Sequence, residues 1–185
     1  EDNAIPYNRS PYTARGSGRS MWGCMRLQKD SMEKKIQVQE ETFDLRAEYD
    51  HLRSVSLKVG AVVTFTGTVR DLNEDESVQV LHLEHYPGMT ERELDKIIDE
   101  AAERWDVIAA TVIHRVGDLY PGDEIVFVGM SSQHRGDAFA SCSFVMDYLK
   151  TRATFWKKEK TEEGDRWLTT RESDVTAADA WDKAQ

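Results

Sequence analysis

The segment of residues 60–69 constrains the fold more than any other part of the chain. It is rich in valine and threonine, contains Phe65, and has glycines at Gly60 and Gly67. Residues with β-branched and aromatic side chains fit the pleated, half-buried surface of a sheet. The segment therefore predicts a central β-strand.

Other segments supply the partners that a central strand needs. Alternating apolar residues predict short strands at residues 36–38 and 78–86, and apolar runs predict strands at 107–116 and 124–130. Tyr120 to Asp123 reads Tyr-Pro-Gly-Asp, which predicts a turn because proline presets φ and glycine tolerates a positive φ.

Helical spacing predicts a short helix over residues 45–52 and two longer helices. The first long helix is predicted to begin with a capping box of Thr90 and Glu93. Its apolar stripe contains Leu94, Ile97, Ile98, Ala101 and Trp105. The second is predicted over residues 136–152, with a core face of Phe139, Cys142, Val145, Met146 and Leu149. The chain past residue 166 is predicted to be loop or short helix.

This order of elements predicts an α+β domain with a mainly antiparallel sheet and two principal helices. The repeated βαβ pattern and glycine-rich phosphate loop of a nucleotide-binding fold are missing from the sequence. Residues 1–34 contain proline, glycine, serine and arginine without a sustained apolar period. We expect them to form a disordered extension or a segment left by cloning, and we expect the domain to span residues 35–185.

Composition narrows the functional class. Hydrophobic residues make up 39% of the chain and charged residues 31%, as in ordinary globular proteins. No apolar run is long enough to span a bilayer, and neither a secretory signal pattern nor a cysteine framework is apparent, so we expect a cytoplasmic protein. A net charge of -10 argues against a general nucleic-acid binder. Seven basic residues nevertheless crowd into residues 150–171, which favours a local anionic ligand.

The strongest candidate for chemistry is the segment that joins Lys150 to Lys157. Lys150 falls in the last turn of the second long helix, and Phe155 and Trp156 come directly before Lys157. A lysine near apolar walls and other cations has a lowered pKa and can act as acid, base or nucleophile. Lysines at a helix C-terminus also occur simply because they favour the dipole and stay in water. Spacing alone leaves both interpretations open.

A second candidate lies at residues 131–135, between a strand end and the start of the second long helix. Free N–H groups at a helix N-terminus bind anions, Arg135 adds a bidentate phosphate contact, and His134 can donate a hydrogen bond or carry a proton. Helix capping alone accounts for the same residues equally well. Arg70, Arg166 and Arg171 are weak candidates, because charged residues at such positions are usually solvated.

Several other patterns indicate no site. His82 and His85 are three apart on a strand and point to opposite faces, which makes a poor metal pair. His114 lies within an apolar strand and is expected to be a hydrogen-bonded structural residue. No catalytic triad, nucleophile elbow or P-loop is present in the sequence.

Nine short motifs, in order and without large gaps over roughly residues 35–181, resemble the large subunits of molybdopterin synthase. They are GAVVTFTGTVR (60–70), LEHYPGM (83–89), VIHRVG (112–117), PGDE (121–124), SQHR (132–135), MDYLKTR (146–152), FWKKE (155–159), GDRW (164–167) and RESD (171–174). The segment before residue 35 is not part of this pattern.

The resemblance implies a hammerhead-like α/β fold that dimerises. It also implies a partner, a small ubiquitin-like sulfur carrier whose C-terminal Gly-Gly bears a thiocarboxylate and threads into a pocket, giving a heterotetramer. The implied substrate is cyclic pyranopterin monophosphate, which receives two sulfurs to form the dithiolene of molybdopterin. No metal or prosthetic group is implied for this subunit.

The resemblance also assigns roles to residues. Lys150 matches the family's essential lysine and Lys157 its second active-site lysine. The matches to the substrate-binding wall are Arg70, His134 and Arg135, joined by Arg171, Arg166 and the pocket residue Phe65, while Glu159 is expected to orient the lysines. The alternative is a non-catalytic dimeric scaffold that binds a ubiquitin-like tail or a phosphorylated small molecule.

Overall fold

The computed structural model describes residues 32–73, 76–161, 164–169 and 172–183. In chain order the elements are β1 (Glu33–Gln39), α1 (Leu45–Ser54), β2 (Ala61–Thr68), β3 (Leu72–Asn73), β4 (Glu76–His85), α2 (Met89–Arg104), β5 (Val107–Arg115), β6 (Gly117–Leu119), β7 (Glu124–Ser132), α3 (Arg135–Thr151), β8 (Phe155–Thr161), β9 (Gly164–Leu168) and α4 (Glu172–Lys183). The predicted α+β class with mainly antiparallel pairing is confirmed.

The first strand, β1, begins at Glu33, two residues before the expected start of the domain at residue 35. Backbone pairing of Lys34 with Ala110 in β5 places this polar residue in the ladder, which local composition does not reveal. Residues 1–31, the rest of the predicted extension, lie outside the described residues.

The first sheet has the strand order β1-β5-β7-β2. β1 runs parallel to β5, while β5 with β7 and β7 with β2 are antiparallel. Alternate side chains of β5 and β7 point to opposite faces of the sheet. Val112 and Val128 pack in the core formed with α2 and α3, whereas Ile113 and Phe127 pack in a smaller cluster with Leu52 of α1. Helices therefore cover both faces of this sheet.

The second sheet has the order β3-β4-β8-β9, and β6 pairs with β4. Its strand pairs are antiparallel. Lys157 of β8 lies opposite Leu83 of β4, and Glu159 of β8 lies between Leu81 of β4 and Arg166 of β9. One face of this sheet is apolar, because Leu81, Leu83 and Leu119 are buried in a third cluster. The face with Lys157 and Glu159 is thus the inner one.

The predicted capping box at Thr90 and Glu93 is wrong. α2 begins one residue before Thr90, with Gly88 as its N-cap in a left-handed conformation at φ 76°, and the Gly88 N–H donates to Glu91 Oε2 at 2.6 Å. Thr90 is fully buried, and its hydroxyl donates to the carbonyl of Thr154 at 3.2 Å. The Thr90 hydroxyl therefore makes a tertiary contact and does not cap the helix, and the local pattern does not encode that contact.

The core face of α3 differs from the prediction at one residue. Cys142, Val145, Met146 and Leu149 are buried as expected, but Phe139 is 64% exposed. Phe144 is fully buried in its place, in edge-to-face contact with Trp105 at 5.4 Å.

Most of the described residues past residue 166 lie in a strand or a helix. Gly164–Leu168 is strand β9, and Glu172–Lys183 is the helix α4. Trp181 of α4 packs against Trp105 and Phe144 at ring distances of 5.5 and 5.6 Å. These contacts fasten the C-terminal helix to α2 and α3.

Candidate active site

A cavity of about 470 Å³ lies between the C-terminal end of α3 and the inner face of the second sheet. Its walls come from the end of β2, from β4, β8 and β9, and from the first turn of α4. The lining residues are Thr68, Val69, Arg70, Val78, Leu81, Ile125, Leu149, Lys150, Ala153, Phe155, Lys157, Glu159, Leu168, Thr169, Ser173 and Asp174. Of the predicted site residues, Arg70, Lys150, Lys157 and Glu159 are brought together here.

Lys150 enters the cavity from the last turn of α3, as its sequence position predicts. Its Nζ donates to Asp174 Oδ1 of α4 at 3.0 Å, and 42% of its side chain is exposed. The lysine therefore faces a carboxylate, in addition to the apolar wall of Leu149 and Ala153.

Lys157 reaches the same cavity from the second sheet. Phe155, Lys157 and Glu159 alternate with outward-facing residues along β8, so their side chains share the inner face. Lys157 is half-buried, opposite Leu83 and Leu168 in the neighbouring strands. A lysine at this position can place its charge beside a ligand in the cavity.

Glu159 is the most buried acidic residue of the cavity wall. It is 5% exposed, and its Oε2 accepts a hydrogen bond from Arg166 Nη2 at 3.0 Å. Arg166 sits on β9 directly opposite Glu159 and is half-buried, which corrects the expectation of a solvated arginine. Arg166 therefore holds the Glu159 carboxylate in place on the cavity wall.

Arg70 follows β2 at the mouth of the cavity and is exposed. Two backbone hydrogen bonds of 2.9 Å fix the preceding residue: the Val69 N–H donates to the carbonyl of Asp123, and the Gly122 N–H donates to that of Val69. Gly122 has φ 92°, as the predicted turn requires. The turn thus fixes the end of β2, from which the Arg70 guanidinium extends.

His134 and Arg135 lie at the opposite end of α3. His134 is the N-cap, both residues are exposed, and neither lines the cavity. A helical rise of 1.5 Å per residue separates Arg135 from Lys150 by about 22 Å. Phe65, in the edge strand β2 and 40% exposed, is also outside the cavity, and Arg171 lies outside the described residues. One protomer therefore assembles only part of the predicted substrate wall.

The charges of the cavity suit an anionic ligand. Three basic side chains, Arg70, Lys150 and Lys157, face two acidic ones, Glu159 and Asp174. The hydroxyl residues Thr68, Thr169 and Ser173 also line the wall. Sequence reasoning missed these hydroxyls and Asp174; the RESD motif contains Ser173 and Asp174 but gave neither a role.

His114 confirms the structural role predicted for it. It is 2% exposed, donates from Nδ1 to the carbonyl of Arg115 at 2.8 Å, and stacks on the cavity residue Phe155 at 3.7 Å. Burial lowers the pKa of its imidazole to about 3, with a smaller contribution from the positive charge of Lys157. A neutral His114 therefore supports the cavity wall without entering it.

Neither a metal site nor a membrane span is visible within the described ranges. No group of three or more histidine, cysteine or acidic side chains there is arranged to hold a metal ion. His82 instead contacts Asp118, and His85 contacts Glu91. Among the helices of the described residues, none is long and apolar enough to cross a membrane.

Comparison with known proteins identifies the family. The MoaE protein family model matches residues 38–152. The chain is 55% identical over 151 residues to the molybdopterin synthase catalytic subunit of Vibrio cholerae, covering 82% of this chain and all of that protein. It is 57% identical over 149 residues to the Escherichia coli K12 protein of the same name, covering 80% of this chain and 99% of that one.

Solved structures agree with these relatives. The molybdopterin biosynthesis MoaE protein from Burkholderia ambifaria superposes with a TM-score of 0.70 at 51% identity, covering 80% of this chain and 98% of that one. A molybdopterin synthase structure from Staphylococcus aureus gives a TM-score of 0.67 at 32% identity, covering 71% and 95%. The chain belongs to the MoaE protein family, the family of molybdopterin synthase catalytic subunits.

Proposed function

We propose that the cavity transfers sulfur from a thiocarboxylated, ubiquitin-like carrier protein to cyclic pyranopterin monophosphate, forming the dithiolene of molybdopterin. The observation that carries this assignment is the convergence of Lys150, Lys157 and Arg70 on one cavity from three different elements. The relatives' name, catalytic subunit of molybdopterin synthase, supports the same reaction and implies a second subunit.

Each sulfur transfer forms a C–S bond to the pterin precursor and breaks a C–O bond of the precursor and the acyl–sulfur bond of the carrier. The thiocarboxylate sulfur bonds to a side-chain carbon of the precursor in place of that carbon's oxygen substituent, which leaves as water or stays on the phosphate, and a thioester then links the two molecules. Addition of water to the acyl carbon then breaks the acyl–sulfur bond, leaving sulfur on the pterin and a carboxylate on the carrier. Two such cycles supply the two sulfurs of the dithiolene.

Lys150 has two possible roles in this sequence. As a proton-transfer group, its Nζ exchanges a proton with the reacting oxygen or sulfur. As a covalent centre, the free amine attacks the acyl carbon in place of water, and the resulting amide is hydrolysed afterwards. In either role Lys157 stabilises negative charge that develops at the reacting atoms, because it lies on the cavity wall opposite α3.

Substrate phosphate is assigned to the arginine side of the site. Arg70 is exposed at the cavity mouth and can bind two phosphate oxygens at once. His134 and Arg135 stand about 22 Å from Lys150 along α3, too far to share one bound substrate within a protomer. We therefore assign them, with Phe65, to the site of the second protomer in a homodimer, itself part of a heterotetramer with the carrier. Arg171 is proposed to join this wall.

A cytoplasmic location is part of the proposal. The sequence has two cysteines that lie far apart, which is not the disulfide framework of a small secreted domain. Cell fractionation with an antibody against the protein checks this placement, and recovery outside the cytoplasmic fraction would contradict it.

The experiment that tests the function measures dithiolene pterin formed from the precursor and thiocarboxylated carrier. We expect product from the parent protein and a loss of about 100-fold or more in Lys150→Ala, the scale of a missing acid–base group. Lys96→Ala is the matched control, because Lys96 is also a helix lysine paired with a carboxylate, Glu93 at 3.2 Å, but does not line the cavity.

Carrier binding, measured by calorimetry, separates the outcomes. A folded parent that binds carrier but forms no product would favour the non-catalytic scaffold. Undiminished product from Lys150→Ala would keep the enzyme and remove Lys150 from its chemistry.

A further inference from the structure

The ion pair of Lys150 with Asp174 joins the proposed catalytic group to the C-terminal helix. The two atoms, Nζ and Oδ1, are 3.0 Å apart, and the aspartate side chain is only 23% exposed against 42% for the lysine. Both side chains line the cavity. Asp174 therefore lies on the cavity wall as the direct neighbour of the group that is proposed to react.

Packing of α4 sets the position of this carboxylate. Asp174, Ala178 and Trp181 are four and three residues apart, so they share one face of the helix. Ala178 is buried, and Trp181 packs against Phe144 of α3. The face that carries Asp174 is thus the face that docks on α3.

Polar contacts fix the register of the two helices. Trp181 Nε1 donates to Asp147 Oδ2 at 2.8 Å, and the Tyr148 hydroxyl donates to Asp182 Oδ1 at 2.6 Å. Lys150 comes after Asp147 and Tyr148 on α3, whereas Asp174 comes before Trp181 and Asp182 on α4. These contacts near the end of α4, together with the packing of Ala178 and Trp181, hold the helix where Asp174 reaches Lys150.

We infer that Asp174 is a positioning residue, which holds the Nζ of Lys150 at the cavity wall where the thiocarboxylate and pterin meet. A lysine side chain has many rotamers, and most of them point the amine of a helix-end lysine into water. A partly exposed ion pair contributes little to folding stability. The consequence of this pair is therefore the geometry of the amine, on which rate depends steeply. The inference rests on the proposed function, because Asp174 acts only through Lys150.

Kinetic constants of variants test the role. We expect Asp174→Asn, which keeps the shape but removes the charge, to lower kcat about 10-fold while KM for the carrier changes less than about 2-fold. Asp174→Glu restores a carboxylate and should recover most of the lost kcat. Asp179→Asn is the matched control, the same change at an exposed position of the same helix. If Asp174→Asn unfolds, Asp174→Ser, with a side chain that suits a first helical turn, replaces it.

A second readout does not depend on turnover. Acylation of Lys150 by an N-hydroxysuccinimide ester, followed by peptide mass spectrometry, should be several-fold faster in Asp174→Asn than in the parent or in Asp179→Asn. Parental kcat together with parental labelling in Asp174→Asn would overturn the inference, as would an equal loss of kcat in Asp179→Asn. A parent without product refutes the proposed function instead, and the labelling rates then still decide whether Asp174 holds Lys150.

Discussion

Lowering the pH should destabilise this protein through one buried side chain, His114. Its ring is 2% exposed, stacks on Phe155 and donates to the carbonyl of Arg115. Burial is the main reason that its pKa falls from 6.5 to about 3; the charges of Lys157 and His85 add to the fall, and the hydrogen bond to Arg115 opposes it. The folded protein therefore keeps this imidazole neutral in mild acid.

The sign and size of the effect follow from proton binding. Below pH 6.5 the unfolded chain binds a proton at His114, whereas the folded chain does not bind it until about pH 3. The free energy of unfolding should therefore fall as the pH drops through this window, by up to about 1.4 kcal/mol per pH unit. Between pH 7 and pH 5 the expected loss from this residue is about 2 kcal/mol. For a chain of this length that corresponds to a melting temperature lower by about 4–8 °C.

Urea denaturation at pH 7 and pH 5 measures this loss in the parent and in His114→Phe. Phenylalanine keeps an aromatic ring beside Phe155 but cannot titrate, so its loss should be smaller than the parent's by about 2 kcal/mol. The other histidines are common to both proteins and cancel in the comparison. Equal losses in the two proteins would refute the reasoning, as would an NMR titration in which the His114 ring protonates near pH 6.

Two further predictions concern packing and the shared site. A Cβ at Gly129 would collide with Cδ1 of Leu52, which is fully buried, so Gly129→Ala should lower the free energy of unfolding by about 1–3 kcal/mol. The control Gly136→Ala has open space around the added Cβ and should not lower it. Equal free energies of unfolding for the two variants in urea denaturation would contradict this prediction. If each site takes Lys150 from one protomer and Arg135 from the other, mixing inactive Lys150→Ala dimers with inactive Arg135→Ala dimers should restore activity through subunit exchange. Half of the dimers are then mixed, and each mixed dimer has one intact site of its two. Product formation should therefore recover to about a quarter of the parental level. No recovery despite verified exchange would place both residues in one protomer.

Local sequence patterns predicted most elements of the first sheet and its helices, because the spacing of their apolar residues matches the spacing of their buried positions. The apolar stripe of α2, from Leu94 to Ala101, is buried as spacing predicts. β8 shows the limit of this approach. Four of its seven residues are charged, so its strand character comes from pairing with β4, which is distant in sequence. Phe139 and Phe144 show the same limit on α3, where the neighbours of the helix decide which ring is buried.

The sequence likewise predicted site residues that are close along the chain but not contacts between distant segments. Lys150 and Lys157 lie close in sequence, and the structure places both on one cavity. Asp174 was not given a role because its partner is 24 residues away, and only the docking of α4 brings the two together. The pairing of Glu159 with Arg166 was missed because it depends on the β8–β9 hairpin register.

On the proposed function, the two ends of α3 belong to two different sites of a homodimer. The C-terminal end carries Lys150, where the helix dipole favours a cation, and the N-terminal end presents His134 and Arg135 beside free N–H groups that favour an anion. A straight helix keeps these ends about 22 Å apart, so no motion of one chain can bring them to the same small substrate. A twofold axis, in contrast, can place the N-terminal end of α3 from one protomer beside the C-terminal end of α3 from the other, which creates two equivalent sites. On the proposed function, the phosphate would then be bound by one protomer while sulfur is transferred beside the lysines of the other.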